Sequence, residues 1–202
     1  MKIICVGRNY PKHILELNNA RSKDPFVFIK PDNAVLRNNE DFYYPDFSNE
    51  IHYEVELIIK FHKKGKNIDA KFAHKYYNQI GLGIDFTARD LQNQLKSKGL
   101  PWELAKGFDS SAVFGKWLDI SSFNLRDLHF SLEKNGQEVQ RGHTKDMIFG
   151  VDQLIAFVSQ FFMIKIGDVL FTGTPSGVGP IEIGDELTGY IEGEKNFNFK
   201  IK

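Results

Sequence analysis

The sequence is poor in cysteine and carries no excess of charge of either sign. Its 202 residues contain one cysteine, Cys5, which excludes an internal disulfide and a cysteine-ligated metal cluster. Basic and acidic residues number 26 each, so the formal net charge is zero. Without a basic surface field there is no electrostatic attraction for nucleic acid or for an anionic membrane, and we expect neither as a partner.

Long apolar runs are missing as well. The longest run near the N-terminus is IICVG, residues 3–7, which is far shorter than a signal-peptide core or the roughly 20 apolar residues that span a membrane. We therefore expect neither a signal peptide nor a membrane span, and predict a cytoplasmic protein. Cys5 lies inside this short run, so we expect a buried, unreactive thiol.

What the sequence does contain is the composition of an ordinary globular protein, 42% apolar and 26% charged. Strand-like segments dominate and helices are scattered between them, which predicts an α+β or mainly-β fold in a single domain over residues 1–202. Asn135-Gly136 is typical of a tight hairpin turn within 128–142. The other predicted strands are 2–7, 26–30, 51–61 and 80–86, and the predicted helices are 9–20, 66–79, 90–99 and 151–162.

The segment 51–61, IHYEVELIIKF, alternates between apolar residues and a second face that carries His52, Glu54 and Glu56. Glutamates on one face of a strand are about 6–7 Å apart, a separation that suits two ligands of one hard cation such as Mg²⁺ or Mn²⁺. Asp85, at the end of the next predicted strand, could supply a third oxygen ligand. The alternative is a solvated acidic face, with Asp85 as an ordinary turn residue.

His13 and Glu16 lie three residues apart on the first predicted helix and therefore face the same way. A carboxylate beside an imidazole fixes its tautomer and raises its basicity, as a general base requires. An ordinary surface pair has the same spacing. The sequence shows no pattern of an activated serine or cysteine nucleophile, which leaves water as the expected nucleophile.

Six short motifs occur in order along the chain: VGRNYPKH, FIKP, HYEVEL, GIDFTARDLQ, KGLPWELAKGFD and FTGTPSGVG. Together they resemble the fumarylacetoacetate hydrolase family, in particular its short acylpyruvase-like branch, from about Ile4 to the C-terminus. The resemblance implies a mixed β-sheet roll with short flanking helices, an N-terminal lid helix within about residues 8–24, and a homodimer.

The resemblance also assigns roles to residues. It implies that Mg²⁺ or Mn²⁺ is bound by Glu54, Glu56 and Asp85, and that His13 and Glu16 on the lid activate water. Lys106, in LAKGFD, would hold a substrate oxygen or a developing enolate; by itself it could be a solvated lysine. The residues implied to contact substrate are Arg8, Lys30, Arg89, Gln92 and Thr174, the last in a loop whose glycines could equally serve only a tight turn.

The function implied first is divalent-metal-dependent hydrolysis of acylpyruvates, which are 2,4-diketo acids, to pyruvate and a carboxylic acid. An oxaloacetate decarboxylase or tautomerase, or a 2-hydroxy-diene-dioate isomerase or decarboxylase of aromatic catabolism, would use the same keto-acid head. A protein that only binds a metal or an organic acid is the alternative from another class. His13, Glu16 and Lys106 argue against it, because mere binding needs no base on a lid.

Overall fold

The computed structural model describes residues 1–17, 20, 22–37 and 39–202, and these residues form fifteen β-strands and four α-helices. The helices are α1 (Pro11–Glu16), α2 (Arg89–Ser97), α3 (Glu103–Lys106) and α4 (Val151–Phe161). The strands are β1 (Ile3–Gly7), β2 (Phe26–Lys30), β3 (Val35–Leu36), β4 (Ile51–Tyr53), β5 (Val55–Phe61), β6 (Tyr77–Asp85), β7 (Thr87–Ala88), β8 (Ala112–Phe114), β9 (Leu118–Asp119), β10 (His129–Lys134), β11 (Gln137–His143), β12 (Val169–Phe171), β13 (Gly179–Pro180), β14 (Glu186–Ile191) and β15 (Glu194–Lys200).

The strands form three sheets. The largest has eight strands in the order β2-β1-β12-β5-β6-β8-β3, with β9 also paired to β6. It is mixed, because β1 runs parallel to β12 and β3 parallel to β8 while the other pairs are antiparallel. The second sheet has the order β11-β10-β14-β15 and the third β13-β4-β7. The sheets curl around one large apolar cluster, which confirms the predicted α+β, mixed-sheet roll.

The predicted strand 51–61 is divided at Glu54. β4 pairs with β7 and β13 in the small sheet, whereas β5 pairs with β6 and β12 in the large one. The apolar positions of the alternation are all buried on both sides of the break. The alternation therefore predicts the buried apolar face correctly, but it reveals neither that Glu54, Glu56 and Ile58 on the second face are also buried nor that the chain changes sheets at an acidic residue.

Two predicted helices differ from the structure. Within 66–79 only a 3₁₀ helix forms, Ala70–Lys75, and β6 already begins at Tyr77. The lid helix is the six-residue α1, and residues 18, 19 and 21 of the predicted lid, 8–24, lie outside the described residues. Short elements such as these depend on tertiary packing more than on local propensity.

Other local predictions are confirmed. Asn135 and Gly136 both have positive φ, 55° and 76°, as a tight hairpin turn between β10 and β11 requires. α2 ends at Ser97, and Gly99 two residues later has a φ of +65° and donates its backbone N–H to Lys96 O. Cys5 is fully buried, and burial raises the pKa of its thiol well above the usual value. None of the helices seen in the described residues has the length and apolarity that a membrane crossing requires.

Candidate metal and catalytic site

Three carboxylates lie close together at the edge of the large sheet where β5 begins and β6 ends. Glu56 lies in β5, Glu54 just before it and Asp85 at the end of β6, and the backbone N–H of Asp85 donates to Glu54 O at 2.8 Å. One oxygen from each of the three residues lies within 4.8 Å of the other two. Their exposures are only 5%, 2% and 1% for Glu54, Glu56 and Asp85. The solvated acidic face is therefore excluded, and we call the three residues the acidic triad.

Lys106, at the end of α3, bridges two members of the acidic triad. Its ammonium donates to Glu54 Oε2 at 2.9 Å, to Asp85 Oδ2 at 2.8 Å and to Thr87 Oγ1 at 2.5 Å. This contact also bears on the start of α2, where the capping-box spacing of Thr87 and Asp90 predicts a cap by Thr87. The N-cap is instead Ala88, whose side chain has no group for a capping hydrogen bond. The Thr87 hydroxyl does not cap α2 but accepts a hydrogen bond from the buried Lys106.

Lys30, at the end of β2, contacts Asp85 of the acidic triad. It is completely buried, with its Nζ 2.7 Å from Asp85 Oδ1, and it donates to the carbonyl oxygens of Phe86 and Ser111. Lys30 is not among the described residues that line the cleft between α1 and the acidic triad. The structure places Lys30 against a candidate metal ligand, and its contact with substrate stays a prediction.

Arg89 and Gln92 extend the network along α2. The Arg89 guanidinium donates to Glu54 Oε1 at 2.5 Å and to Gln92 Oε1 at 2.6 Å. Its Nε lies 3.4 Å from His52 Nδ1, and the opposite nitrogen of that ring contacts Glu50 at 2.9 Å. His52 thus supports Arg89 from outside the acidic triad. Both predicted residues on α2 are buried at the site.

The surroundings of Glu54 and Glu56 shift the pKa values of the two side chains in opposite directions. Burial tends to raise the pKa of Glu54, but the charges of Lys106 and Arg89 outweigh it and hold the pKa well below the usual value. For Glu56, burial and then the negative charges of Asp85 and Glu54 raise the pKa well above the usual value. Burial also acts on Lys106, yet Asp85 and Glu54 raise its pKa, so Lys106 remains a cation.

These features fit a hard divalent cation. Asp85 Oδ1 is buried and forms an ion pair with Lys30 Nζ at 2.7 Å. Glu56 is destabilised as an anion by its own neighbours, and a cation shared by the acidic triad would relieve that repulsion. An all-oxygen set of carboxylates is what Mg²⁺ and Mn²⁺ prefer. The three residues can therefore hold such an ion.

His13 of the predicted lid pair lines the same cleft, and Glu16 contacts it. His13 is 5% exposed, and its Nδ1 lies 3.1 Å from Glu16 Oε2. The second oxygen, Oε1, accepts a hydrogen bond from the backbone N–H of Gly177 at 2.9 Å. Because an ionised carboxylate can only accept, Nδ1 carries a proton, so in the neutral imidazole the lone pair lies on Nε2. The pair is thus arranged as a base and the group that orients it.

The cleft between the lid and the acidic triad is narrow, with a cavity volume of about 40 Å³. Arg8 and Thr174 also line it, so every predicted site residue lines the cleft except Lys30 and Glu16, which contact the lining residues Asp85 and His13. One wall of the cleft is apolar and consists of residues that the sequence did not predict. Phe26 packs on Trp102 at 4.9 Å between ring centroids, and Phe28 lies beside them. The signal that could have revealed this wall is the alternation in FVFIK, which places Phe26, Phe28 and Lys30 on one face.

A curled mixed sheet thus gathers three buried carboxylates that can hold a divalent cation, and the lid places His13 in the same cleft. Residues 2–200 match the sequence profile of the fumarylacetoacetate (FAA) hydrolase C-terminal domain. The chain belongs to the fumarylacetoacetate hydrolase family.

Individual relatives agree with this assignment over nearly the whole chain. Oxaloacetate tautomerase FAHD1, mitochondrial, of Arabidopsis thaliana is 39% identical over 202 residues, covering 100% of this chain and 91% of the relative. Fumarylpyruvate hydrolase from Pseudomonas aeruginosa, solved in complex with Mn²⁺ and pyruvate, has a TM-score of 0.94 at 34% identity, covering 100% and 89%. 2-hydroxyhepta-2,4-diene-1,7-dioate isomerase from Mycobacterium marinum has a TM-score of 0.86 at 33% identity, covering 99% and 73%.

Proposed function

We propose that the chain is a divalent-cation-dependent enzyme that moves protons on 2-keto acids, with keto–enol tautomerisation of oxaloacetate as its main activity. The observation that carries the proposal is the orientation of His13, buried in the cleft of the acidic triad with its Nδ1 held by Glu16. The identity to an oxaloacetate tautomerase over the full chain supports the choice of substrate. The single catalytic domain over 1–202, the homodimer and the cytoplasmic location stay predictions.

The residues around the acidic triad would bind the keto-acid head. Glu54, Glu56 and Asp85 would hold Mg²⁺ or Mn²⁺, which when bound polarises the 2-keto oxygen and neutralises negative charge that develops on it. Lys106, kept protonated by its carboxylate neighbours, adds a second positive charge at that oxygen. Arg89, Gln92 and Thr174 would orient the C1 carboxylate and exclude water from it.

His13 then moves one proton between two atoms of the substrate. In the direction from keto to enol, Nε2 accepts a proton from C3, and the electron pair of the C–H bond becomes the C2–C3 double bond while charge passes to O2. Return of that proton to O2 gives the enol, so no atom is gained or lost. Glu16 stabilises the imidazolium that exists between the two transfers.

A second candidate is the hydrolysis of acylpyruvates predicted from the sequence, and the same His13–Glu16 pair favours it because an oriented imidazole can deprotonate water as readily as C3. Attack of that water on the C4 carbonyl forms a C–O bond. The C3–C4 bond then breaks, its electron pair passes to the enolate of pyruvate, and the other product is a carboxylic acid. The enolate takes up at C3 the proton that His13 removed from water, which gives pyruvate and restores the base. The Mn²⁺ and pyruvate of the Pseudomonas relative support this candidate.

The test is turnover of enol-oxaloacetate and of acetylpyruvate with Mn²⁺, with excess EDTA, and in the variants His13→Asn and Glu16→Gln. Loss of a general base lowers rates by about 10²–10⁴-fold. His62→Asn, which changes an exposed histidine just after β5 and outside the cleft lining, is the matched control and should retain full activity. If the wild type turns over neither substrate with metal present, the chain is a binding protein and the enzyme proposal fails.

A further inference from the structure

Gln140, in β11, is a buried polar residue that the proposed chemistry does not use. It is 2% exposed and is not among the described residues that line the cleft. Its side-chain amide accepts from Val55 N at 2.8 Å and donates to Thr174 Oγ1 and to Pro175 O, each at 2.9 Å. These partners lie 34 to 85 positions away in the chain, so the amide joins three distant segments at the site.

The partners of the Gln140 amide fix its orientation. A backbone N–H can only donate, so the amide oxygen faces Val55, and a carbonyl oxygen can only accept, so the amide nitrogen faces Pro175. The second N–H of that nitrogen points at Thr174 Oγ1. A rotated amide would set donor against donor at Val55 and acceptor against acceptor at Pro175, and buried groups left unpaired in this way are costly.

This orientation determines where the Thr174 hydroxyl can donate. A hydroxyl has one proton, and because Oγ1 already accepts from Gln140 Nε2, that proton points elsewhere. Thr174 is 3% exposed and lines the cleft, and its hydroxyl has no second hydrogen bond within the described part of the chain. The Thr174 hydroxyl is therefore left as a donor for a group in the cleft.

The opposite end of the Gln140 amide is attached to the acidic triad. Val55 separates the two glutamates of the triad and begins β5. Gly173, which precedes Thr174, donates its backbone N–H to Glu56 Oε2 at 2.6 Å. Gln140 thus holds the Thr174 hydroxyl in a defined position relative to the candidate metal ligands.

We propose that Gln140 is a positioning residue that orients the Thr174 hydroxyl as a hydrogen-bond donor to a carboxylate of the substrate. This inference rests on the proposed function, because it assumes that the cleft binds the carboxylate of a keto acid. Gln140 does not touch the substrate itself. It lies outside the six sequence motifs, and the sequence gave no indication of this role.

The test changes one atom of the amide and measures the binding of oxalate by calorimetry with Mn²⁺ present. Oxalate presents two adjacent oxygens in the arrangement of the carboxylate and 2-keto oxygens of a keto acid. In Gln140→Glu the oxygen that accepts from Val55 is retained, and the nitrogen becomes an oxygen that draws the Thr174 proton away from the cleft. We expect the affinity for oxalate to fall by about tenfold or more, the contribution of a hydrogen bond to a charged group. The affinity for Mn²⁺ alone should stay within about twofold.

Thr174→Val separates the orientation of the hydroxyl from general damage to the site. By itself it should weaken oxalate binding about as much as Gln140→Glu does. In the Thr174→Val background, Gln140→Glu should change the affinity by no more than about twofold, because no hydroxyl is left to orient. Gln137→Glu makes the same exchange at an exposed residue of the same strand, so it is the matched control and should bind oxalate as the wild type does.

Gln140→Met adds no charge to the interior and replaces Gln140→Glu if the melting temperature shows that the glutamate unfolds the chain. Without the amide, the Thr174 hydroxyl can turn to the unpaired Pro175 oxygen, so oxalate binding should again weaken only while Thr174 is present.

Four results would each overturn the proposal. They are unchanged oxalate affinity in the Gln140 variants, an equal loss with and without the Thr174 hydroxyl, a parallel loss of Mn²⁺ affinity, and absent binding of oxalate by the wild type. The proposed function is tested separately, by turnover of enol-oxaloacetate and acetylpyruvate. A chain that turns over neither but binds oxalate through this coupling would lose the proposed function and keep the role of Gln140.

Discussion

Glu16 and Gly177 are 161 positions apart in the chain, and the backbone N–H of Gly177 donates to Glu16 Oε1 at 2.9 Å. The same loop, through the N–H of Gly173, donates to Glu56 Oε2 at 2.6 Å. One loop thus positions both the acid that orients His13 and a candidate metal ligand. The loop therefore couples the lid to the acidic triad.

Gly177→Ala should lower turnover by more than its loss of stability alone explains. Gly177 has a φ of +100°, and a Cβ there would lie 2.2 Å from Val139 O, so the loop must shift and the donor to Glu16 moves with it. A displacement of about 1 Å near a catalytic group can lower kcat by about 10²-fold. Turnover of oxaloacetate or acetylpyruvate and the melting temperature are the two measurements.

Gly184→Ala is the matched control for that substitution. Gly184 has the same φ of +100°, but no atom of the described residues lies within 4 Å of its added Cβ. Both variants carry the strain of a left-handed alanine, about 1–2 kcal/mol, and only Gly177→Ala disturbs the lid. Equal turnover in the two variants would show that Gly177 does not position Glu16.

Glu56→Gln and Glu54→Gln should change the stability of the metal-free protein in opposite directions. Glu56 is a destabilised anion, so a neutral glutamine that still accepts from Gly173 should raise the melting temperature in EDTA. Glu54 compensates Lys106 and Arg89, so its neutralisation leaves buried cations unpaired and should cost about 3 kcal/mol or more. Both variants should lose the stabilisation that Mn²⁺ gives the wild type. Thermal unfolding in EDTA and in Mn²⁺ measures both effects, and a shift of the same sign in EDTA would contradict this account.

The stabilisation by Mn²⁺ should grow as the pH rises. Burial and neighbouring charge raise the pKa of Glu56, so the metal-free fold holds a proton there that the unfolded chain releases at lower pH. That contribution to stability is complete below the ordinary pKa of glutamate and is lost as the pH rises through the raised pKa. A bound cation takes the place of the proton, so the increase in melting temperature with Mn²⁺ should be larger at about pH 7.5 than at about pH 5.5. An increment that is constant or falls with pH would contradict the assignment to Glu56.

The sequence predicts which residues form the candidate site better than it predicts the long-range contacts that hold them in place. Local patterns suffice for Glu54 and Glu56 on one face at β5 and for the turn at Asn135, whereas Arg89 and Gln92 come from the motif resemblance. Both local patterns depend on neighbours a few residues away, which a pattern can register. The motif resemblance also adds Asp85 and Lys106, which no period connects to β5.

Contacts between distant segments leave no local pattern from which they could be predicted. The division at Glu54 arises because β4 and β5 find partners in different sheets, and those partners lie dozens of residues away. The bond from Gly177 to Glu16 depends on how a C-terminal loop meets an N-terminal helix. The aromatic wall is different, because the alternation in β2 places Phe26 and Phe28 on the face of Lys30 and could have predicted it.

Lys106→Met should separate metal binding from turnover. The Lys106 ammonium bonds to Glu54 Oε2 and Asp85 Oδ2, the same kind of oxygens that a divalent cation would use, so the lysine and the ion compete for negative charge. Removal of the lysine should therefore tighten Mn²⁺ binding, while kcat falls by about 10²–10³-fold because the enolate oxygen loses a preorganised charge. Lys145→Met, at an exposed lysine paired with Asp127, is the matched control and should change neither quantity. Calorimetry with Mn²⁺ and turnover at saturating Mn²⁺ measure the two effects, and a parallel loss of both would mean that Lys106 holds the carboxylates in place and does not act on the substrate.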